Sequence, residues 1–468
     1  MSTSHSVIVV GAGISGLACA YALKKFGADV LLLESSSTPG GMIQSVEDRG
    51  FLFETGPQSF STTPALNALI QDVDLSNEFA PAPTGAPRYI LVNGKLQPVP
   101  LSPPALLATS LLKWPAKFSI LREPFRKSFP PKEDESIADF VRRKFSPELL
   151  NLLVGPFVSG IYAGDPEKIS MRAAFPALHE AEVAAGSVIR GMKSAAKKRT
   201  GPRVKMTLAS FRSGNQALVG ALAGKLGDSL RTETRVTQIL RGANGRFELL
   251  ADTPSGPAQF QTSQLIVATP TYTAASLLKP LVSSVAEALS QIEYAPVAVV
   301  SVGYRRNEVG HSLNGFGFLV PRAAGLKILG TVWSSSLFPN RAPADHVQLT
   351  SFLGGATDPD TVSLSDSSLI DLTHRELTPV LGLTLRPTVT RVTAYEKAIP
   401  QYNLGHTARI ATIRADIAKV PGLHLAGNYL RGPAIGACIE QAQEVADSVR
   451  KAGQPGVSGA RPDFGVAP

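Results

Sequence analysis

Short apolar runs and longer stretches with apolar residues every three or four positions alternate along this chain. The first apolar run, residues 7–10 (VIVV), is followed by a helical pattern over 15–26 and by a second run at Val30–Leu33. Fully apolar runs of this length are typical of strands buried on both faces of a parallel sheet. The amino-terminal segment therefore predicts a βαβ unit.

The rest of the chain continues this alternation and predicts an α/β protein. Helical patterns occur at Ile137–Lys144, 147–158, 173–198, Gln216–Leu226 and 436–450, and strand-like patterns at 235–239, 246–250, 265–268, 297–304, 316–320, 328–333 and Leu423–Leu425. Residues 87–100 (PRYILVNGKLQPVP) predict a hairpin, because Asn93-Gly94 favours a two-residue turn. The basic segment 193–205 is typical of a helix end and linker, and the tail 454–468 is expected to be disordered.

Composition and charge narrow the class of protein. The 468 residues are 44% hydrophobic and 18% charged, a globular profile with room for more than one structural unit. The net charge of +9 suits nucleic acid, an anionic membrane or an acidic ligand, but the basic residues are scattered and no nucleic-acid motif occurs. We therefore expect no nucleic-acid partner. Cys19 and Cys438 lie in no metal-binding pattern and predict buried thiols in a reducing compartment, without a metal.

The location of the protein is also constrained by the hydrophobic pattern. The first strand begins too early to leave room for a targeting peptide, and no uncharged apolar run reaches the roughly 18–20 residues that span a bilayer. We therefore expect a cytoplasmic protein that is soluble or peripheral to a membrane.

A glycine-rich turn, GAGISG, joins the first strand to the first helix. Gly11 permits the tight turn, Gly13 lets a pyrophosphate approach the backbone, and Gly16 lets the helix pack on the strand. Glu34 ends the second strand, where a carboxylate can accept a hydrogen bond from the ribose of adenosine. The combination predicts a dinucleotide site at the amino terminus of the first helix.

Three further motifs extend this site. STPGG (37–41) follows Glu34, FETGP (53–57) comes soon after, and a strand ending in AGN (426–428) precedes the last predicted helix. This ordered set resembles the FAD-dependent amine oxidase and desaturase superfamily, in which both chain ends and a middle segment assemble the flavin domain. By that resemblance FAD is bound non-covalently by Gly11, Ala12, Gly13, Ile14, Ser15, Gly16, Glu34, Ser35, Gly40, Gly41, Gly56, Pro57, Val236, Ala268, Gly427, Asn428 and Ile435.

Residues 157–178, 209–218 and 315–339 narrow the resemblance to the protoporphyrinogen oxidase family. The first stretch, FVSGIYAGDPEKISMRAAFPAL, is the most specific and is most similar to plant-type and related bacterial members. The resemblance implies oxidation of protoporphyrinogen IX to protoporphyrin IX in tetrapyrrole biosynthesis. Three two-electron oxidations would pass electrons through FAD to dioxygen and release hydrogen peroxide.

The domain organisation follows from the same resemblance. It implies a Rossmann-like FAD-binding domain assembled from separated segments, a mixed-sheet substrate domain and a helical insertion that associates with membranes. The FAD-binding segments would be residues 1–80, 201–275 and 406–453. The substrate domain would comprise 81–100 and 276–405, and the insertion 101–200.

The resemblance also implies the substrate contacts. A porphyrinogen is apolar over most of its surface and carries propionates at one edge, so its site needs an apolar cavity and a cationic anchor. Arg88 would grip a propionate, because its planar fork suits a carboxylate. Phe316, Leu319 and Phe352 would sandwich the ring, and the backbone at Gly160 would close on it. No catalytic acid or base is predicted, since pyrrole protons can pass to solvent. From the residues alone, these positions also fit a surface charge, sheet core and a turn.

Residues 105–129 are the candidate membrane-binding segment, because they mix Leu, Trp and Phe with lysine and arginine, as interfacial amphipathic helices do. The alternative is an amphipathic helix packed on its own domain. The expected partners are thus a porphyrinogen, dioxygen and an anionic membrane on the inner face of the cell, with ferrochelatase or another tetrapyrrole enzyme and self-association as further candidates.

Three other functions remain open at this point. Coproporphyrinogen III is an alternative substrate, although its four propionates call for more cations than Arg88. A flavin amine oxidase or carotenoid-type desaturase shares the nucleotide motifs, but the loop after Asn428 lacks the Trp-rich pattern expected of amine oxidases. A FAD-binding scaffold without turnover would show the same glycines.

Overall fold

The computed structural model describes residues 3–100, 102–198 and 206–452. The predicted tail 454–468 and the end of the basic segment 193–205 lie outside the described residues. The strands are β1 (Thr3–Val10), β2 (Val30–Leu33), β3 (Ser45–Asp48), β4 (Phe51–Glu54), β5 (Phe60–Ser61), β6 (Phe79–Pro81), β7 (Arg88–Val92), β8 (Lys95–Pro98), β9 (Leu208–Phe211), β10 (Leu230–Arg231), β11 (Arg235–Arg241), β12 (Phe247–Thr253), β13 (Gly256–Val267), β14 (Tyr294–Arg305), β15 (Gly317–Leu319), β16 (Ile328–Val332), β17 (His346–Gly354), β18 (Val389–Pro400) and β19 (Leu423–Leu425).

The α-helices occupy both faces of one sheet, one face of a second sheet and a separate helical unit. They are α1 (Ile14–Lys25), α2 (Pro64–Asp72), α3 (Pro103–Ala108), α4 (Trp114–Arg122), α5 (Ile137–Lys144), α6 (Pro147–Leu149), α7 (Gly155–Tyr162), α8 (Met171–Ala174), α9 (Pro176–Ala185), α10 (Val188–Lys198), α11 (Gln216–Leu226), α12 (Thr271–Leu278), α13 (Ser283–Ser290), α14 (Ser334–Leu337), α15 (Asp366–Leu381), α16 (His406–Ile417) and α17 (Ile435–Ala452).

The nucleotide sheet combines strands from distant parts of the chain. Its order is β10-β2-β1-β13-β12-β11, with β19 also beside β13, and β10, β2, β1, β13 and β19 run parallel. Helices α1, α2, α11 and α17 pack on one face, and α12, α13 and α16 on the other. This is the predicted α/β domain assembled from separated segments. Helix α13 packs on this sheet, within the segment 276–405 predicted as substrate domain, and the domain boundaries stay predictions.

A second, mixed sheet has the order β18-β14-β17-β16-β15-β7-β8, in which only β15 and β7 run parallel. The predicted hairpin forms its β7–β8 edge. Asn93 and Gly94 have φ angles of 51° and 73°. A type I′ turn requires positive φ at both central residues, and Asn and Gly adopt such angles at little cost. Helix α15 packs on one face of the sheet, so the opposite face is left for the site.

The helical unit differs from its predicted form. Residues 105–129 do not form one amphipathic helix: the chain turns between α3 and α4, and α4 gives way to a 3₁₀ turn at Glu123–Phe125 that includes Pro124. The pattern at 173–198 comprises three helices, with Gly186 in a left-handed conformation between α9 and α10. The helix predicted at 147–158 contains a π-helical segment, Leu150–Val154. Within the described parts of the chain, no helix is long and apolar enough to span a membrane.

Candidate active site

The GAGISG turn leaves open space at the amino terminus of α1. Gly11 has φ +100°, and a Cβ there would lie 3.0 Å from the Ala268 carbonyl oxygen. A Cβ on Gly16 would lie 1.9 Å from the Gly11 carbonyl oxygen, whereas one on Gly13 would meet nothing within 4 Å. The turn is thus closed on its protein side and open above Gly13, where free N–H groups of the helix can bind phosphate.

The second glycine-rich turn lies directly against the first. The Gly40 N–H donates to the Ala12 carbonyl at 2.8 Å, and Gly40 forms an isolated bridge with Gly13. Gly40 and Gly41 have φ angles of +114° and +60°. The two turns together make a backbone cradle, so the glycines predicted from GAGISG and STPGG are brought together.

The FETGP segment adds a third backbone approach. A Cβ on Gly56 would lie 2.2 Å from the Met42 carbonyl oxygen, so the backbone at Gly56 packs directly against the end of the second glycine turn. The Pro57 carbonyl accepts a hydrogen bond from Asn215 Nδ2 at 2.7 Å. Asn215 precedes α11, so the middle segment of the nucleotide domain holds FETGP in place.

Glu34 is held at the carboxyl end of β2. Its Oε2 accepts from the Ala12 N–H at 2.7 Å, and its Oε1 accepts from the Ser36 N–H at 2.8 Å and from the Ser35 hydroxyl at 3.3 Å. The remaining lone pairs can accept from ribose hydroxyl groups. Val236 lies buried on β11, on the same side of the sheet as α12 and α13.

The carboxyl-terminal predicted residues meet the same edge of the nucleotide sheet. Because β13 runs parallel to both β1 and β19 and lies between them, the loop after β19 emerges beside Ala268, and Gly11 follows on the other side of β13. The Gly427 N–H donates to Gln441 Oε1 at 3.0 Å, and Ile435 begins α17 as a buried residue. The free N–H groups at the amino terminus of α1, the open space above Gly13 and the anchored carboxylate of Glu34 fit FAD.

Three of the predicted substrate residues, Arg88, Leu319 and Phe352, share one face of the mixed sheet. Leu319 pairs with Gly330, and Gly330 pairs with Phe352, so the side chains of Leu319 and Phe352 form a row on one face, on either side of the glycine in β16. Leu319 also pairs with Ile90 of β7. Side chains two residues apart on a strand point to the same face, so Arg88 belongs to this face as well.

Helix α7 covers part of that face. A Cβ on Gly160 would lie 2.9 Å from Leu319 Cδ2, so the helix approaches the sheet where the resemblance places the substrate. Phe157 and Ile161, on the same helix, are exposed large apolar side chains. The structure therefore brings a glycine-bearing helix and an apolar sheet face together.

Arg88 is exposed, and its guanidinium carbon lies 5.2 Å from the centroid of the Phe316 ring. Among the described residues, no carboxylate forms an ion pair with its guanidinium group. Phe316 is partly buried and packs beside Ala86 and Val332 rather than in the row of Leu319 and Phe352. An arginine on an aromatic ring without a carboxylate partner can accept an acidic ligand.

Two residues that the motifs do not single out join the substrate face to the nucleotide domain. Met42, which follows the second glycine turn, packs in one cluster with Phe352. Tyr395 Oη donates to Thr55 Oγ1 at 3.4 Å. Met42 could have been found from the sequence, because it directly follows Gly41. Tyr395 could not, because it lies in a strand with no distinguishing pattern.

A buried ion pair ties the two domains together. Arg341 and Glu54 are 1% and 2% exposed, and Arg341 Nη2 donates to Glu54 Oε1 at 3.0 Å. The Ser45 hydroxyl and the Asn215 N–H also donate to Glu54, while Arg341 Nη2 donates to Ser210 Oγ at 2.6 Å. Burial raises the pKa of Glu54 against the opposing effect of Arg341, and burial lowers the pKa of Arg341. The carboxylate of FETGP thus has a structural partner 287 residues away.

The chain is similar to known flavoproteins over most of its length. The flavin-containing amine oxidoreductase family matches residues 14–450. The chloroplastic protoporphyrinogen oxidase of Nicotiana tabacum is 37% identical over 467 residues, which cover 94% of this chain and 85% of the tobacco protein. The coproporphyrinogen III oxidase of Bacillus subtilis is 28% identical over 461 residues, covering 93% and 96% of the two chains.

Solved structures show the same architecture. A protein from Exiguobacterium sp. 255-15, provisionally named a protoporphyrinogen oxidase, superposes with a TM-score of 0.80 at 27% identity and covers 96% of this chain and 99% of its own. A reduced UDP-galactopyranose mutase gives a TM-score of 0.72 at 17% identity, covering 96% of both chains, and so shares the fold alone.

Proposed function

Because the chain belongs to the protoporphyrinogen oxidase family of flavin-containing amine oxidoreductases, we propose that it oxidises protoporphyrinogen IX to protoporphyrin IX. The chain is an FAD-dependent oxidoreductase, and its substrate class is a porphyrinogen. FAD, when bound, accepts the electron pairs of the three oxidations. Dioxygen is the proposed final acceptor, with hydrogen peroxide as product.

The observation that carries the substrate assignment is the position of Arg88 on an apolar sheet face. Leu319 and Phe352 share that face, and Arg88 has no carboxylate partner in the described chain. A porphyrinogen presents the matching combination of an apolar ring and an acidic edge. Arg88 pairs a propionate in this proposal, while Leu319, Phe316 and Phe352 contact the ring.

The protein contributes binding and orientation in this reaction. Gly160 lets α7 approach the ring, because a side chain at that position would meet Leu319. The substrate face adjoins the nucleotide domain at Met42, so a bound ring lies near the flavin end of the cradle. No protein base is required, since pyrrole protons pass to solvent.

Arg88 also favours the dicarboxylic substrate over coproporphyrinogen III. The two cations of the turn between β15 and β16 are already paired: Arg322 with Asp165 at 3.4 Å and Lys327 with Asp358 at 2.9 Å. Arg88, which has no carboxylate partner among the described residues, is the anchor that the proposed site offers a propionate. A substrate with four propionates would leave more carboxylates without cations.

Substrate-dependent fluorescence tests the proposal. Purified protein should be yellow, lose that colour when reduced anaerobically by a porphyrinogen, and form fluorescent porphyrin in air with one peroxide per oxidation step. Protoporphyrinogen IX and coproporphyrinogen III are compared at equal concentrations. Faster turnover of coproporphyrinogen would reverse the substrate assignment, and flavin bleaching by amines alone would replace it with amine oxidation.

Residues 114–129 support a peripheral location on the cytoplasmic face of a membrane. Their exposed apolar side chains lie beside the exposed cations Arg122, Arg126 and Lys127, a combination typical of proteins bound to anionic lipid. The apolar members, with their exposed fractions, are Trp114 (65%), Phe118 (58%), Leu121 (46%), Phe125 (87%) and Phe129 (62%).

Flotation with liposomes tests this location. Phe125→Ser should weaken binding to anionic vesicles at low salt, whereas Phe26→Ser, which alters an exposed phenylalanine on the nucleotide domain, should not. Equal binding by both variants, or no binding by the parent protein, would exclude the proposed surface. Ferrochelatase binding and self-association stay predictions from the family resemblance.

A further inference from the structure

Two buried rings outside the predicted site hold the loop that follows β19. Tyr402 Oη donates to the Asn428 carbonyl at 2.6 Å, and His406 Nε2 lies 3.0 Å from the Tyr429 carbonyl. Because the partner of His406 is a carbonyl oxygen, Nε2 carries the hydrogen. Tyr402 and His406 are 1% and 3% exposed, and their rings stack at 4.2 Å with an interplanar angle of 14°. One stacked pair thus anchors two consecutive carbonyls.

These bonds fix the direction of the peptide groups in the loop. The peptide bonds are trans, so the Tyr429 N–H points away from the Asn428 carbonyl and hence away from Tyr402. In the part of the chain that the structure describes, no protein group accepts from that N–H. The hydrogen bonds from Tyr402 and His406 therefore leave one oriented donor, the Tyr429 N–H, on the opposite side of the loop.

The position of the loop identifies what that donor serves. It lies at the carboxyl edge of the nucleotide sheet, next to the end of β13 at Ala268, and runs into the amino terminus of α17. Ligands of open parallel sheets bind at this edge. Gln441 already accepts from the Gly427 N–H, so the loop is anchored on both sides of Asn428.

We propose that Tyr402 and His406 are positioning residues, which hold residues 427–430 in the conformation that binds FAD and present the Tyr429 N–H to the cofactor. The inference rests on the flavin cofactor and not on the identity of the porphyrinogen. A negative result in the substrate assays would therefore not affect the roles proposed for Tyr402 and His406. A negative result for these two residues would likewise not affect the substrate assignment.

Burial keeps the histidine in the state that this role needs. The pKa of His406 is lowered to about 4, chiefly by burial, while the Tyr429 carbonyl acts in the opposite direction. The ring is therefore neutral at physiological pH and keeps a single donor on Nε2. Arg409 and Asp134 are the charged groups that also act on it, and their effects oppose each other.

Tyr402 also has a packing role, which any test must separate from positioning. Its ring lies 5.6 Å from that of Tyr162 at the end of α7, and Gln401 Nε2 donates to the Tyr162 carbonyl at 2.8 Å. The Tyr402→Phe change keeps the ring and its contacts but removes the donor. Tyr304→Phe is the matched control, because Tyr304 is 0% exposed and its hydroxyl is hydrogen-bonded to His374 in the substrate domain at 3.0 Å.

The experiment follows flavin release from the holoenzyme. Flavin fluorescence on serial dilution gives the dissociation constant, and tryptophan fluorescence at saturating FAD gives the unfolding temperature. Tyr402→Phe should weaken FAD binding about tenfold, equivalent to about 1.4 kcal/mol, and should change the absorption spectrum of the bound flavin. Its unfolding temperature at saturating FAD should fall no further than that of Tyr304→Phe.

A second pair of variants covers the case in which Tyr402→Phe fails to fold. His406→Phe removes the second donor and should weaken FAD binding in the same way, whereas His406→Gln keeps an N–H donor and should restore most of the affinity. FAD affinity of Tyr402→Phe equal to that of the parent or of Tyr304→Phe would overturn the proposal. So would equal affinities of His406→Phe and His406→Gln.

Discussion

The nucleotide end of the site is closed by backbone, whereas the substrate end is closed by side chains. A Cβ on Gly16 would lie 1.9 Å from a carbonyl oxygen, but a Cβ on Gly160 would lie 2.9 Å from Leu319 Cδ2, the far end of a flexible side chain. Backbone in a packed strand–helix turn cannot move without disturbing the sheet, while a leucine can change rotamer. The two ends should therefore respond very differently to the same small substitution.

The largest expected effect concerns the ion pair that joins the two ends. Arg341→Leu leaves the Glu54 carboxylate buried without its cation, so the free energy of unfolding should fall by about 3–5 kcal/mol. Urea unfolding of the holoenzyme measures it. The control is Arg386→Leu, because Arg386 pairs with Asp371 at the surface, where an ion pair contributes little. Equal losses in the two variants would mean that the ends are held together by other contacts.

Gly16→Ala should be the most damaging single change at the nucleotide end. The methyl group overlaps the Gly11 carbonyl oxygen and pushes α1 off β1, so FAD binding should weaken by about tenfold to a hundredfold. Flavin fluorescence on dilution measures this. Gly220→Ala on α11 is the control, since a Cβ there meets nothing within 4 Å. If Gly16→Ala kept the FAD affinity of the parent protein, the turn would not be as rigid as proposed.

At the substrate end, Arg88→Ala should affect binding more than chemistry. Loss of a charged hydrogen bond to a propionate should raise KM about tenfold with a smaller change in kcat. Steady-state porphyrin fluorescence gives both constants. Lys95→Ala removes an exposed cation from the partner strand of the same hairpin and should leave them unchanged. Unchanged kinetics in Arg88→Ala would take this residue out of the site.

Gly160→Ala should have the smallest effect and completes the contrast with Gly16→Ala. Leu319 can move aside at a cost of about 1 kcal/mol, so kcat/KM should fall only a few-fold and FAD affinity should not change. The same fluorescence assay and flavin titration check it. Complete loss of turnover would show that the substrate end is as rigid as the nucleotide end.

Local patterns predicted much of the fold because each depends on neighbours in sequence. The strands at Val30–Leu33 and Leu423–Leu425 and the helices at Ile137–Lys144 and Gln216–Leu226 occur with the predicted bounds. The helical unit was predicted less well. Prolines and a left-handed Gly186 interrupt apolar periodicity without removing it, so residues 105–129 and 173–198 have the composition of longer helices than they form.

The residues of the site also divide into those that local sequence predicts and those that depend on distant partners. The cradle glycines could be predicted, since GAGISG and STPGG contain the turn geometry within a few residues. Arg341, Tyr395 and Tyr402 could not be, because each acquires its role from a partner far away in the chain: Glu54, Thr55 and Asn428. No local pattern records such a partner.

The sequence by itself determined the α/β class, the dinucleotide turn and the hairpin that carries Arg88, because glycine conformation, apolar runs and Asn-Gly turns act over a few residues. Only the tertiary structure decided that Arg88 shares a face with Leu319 and Phe352, and that Tyr402 reaches the loop after β19. Strand register and burial set these contacts. Both depend on how distant segments pack, which is a property of the whole chain.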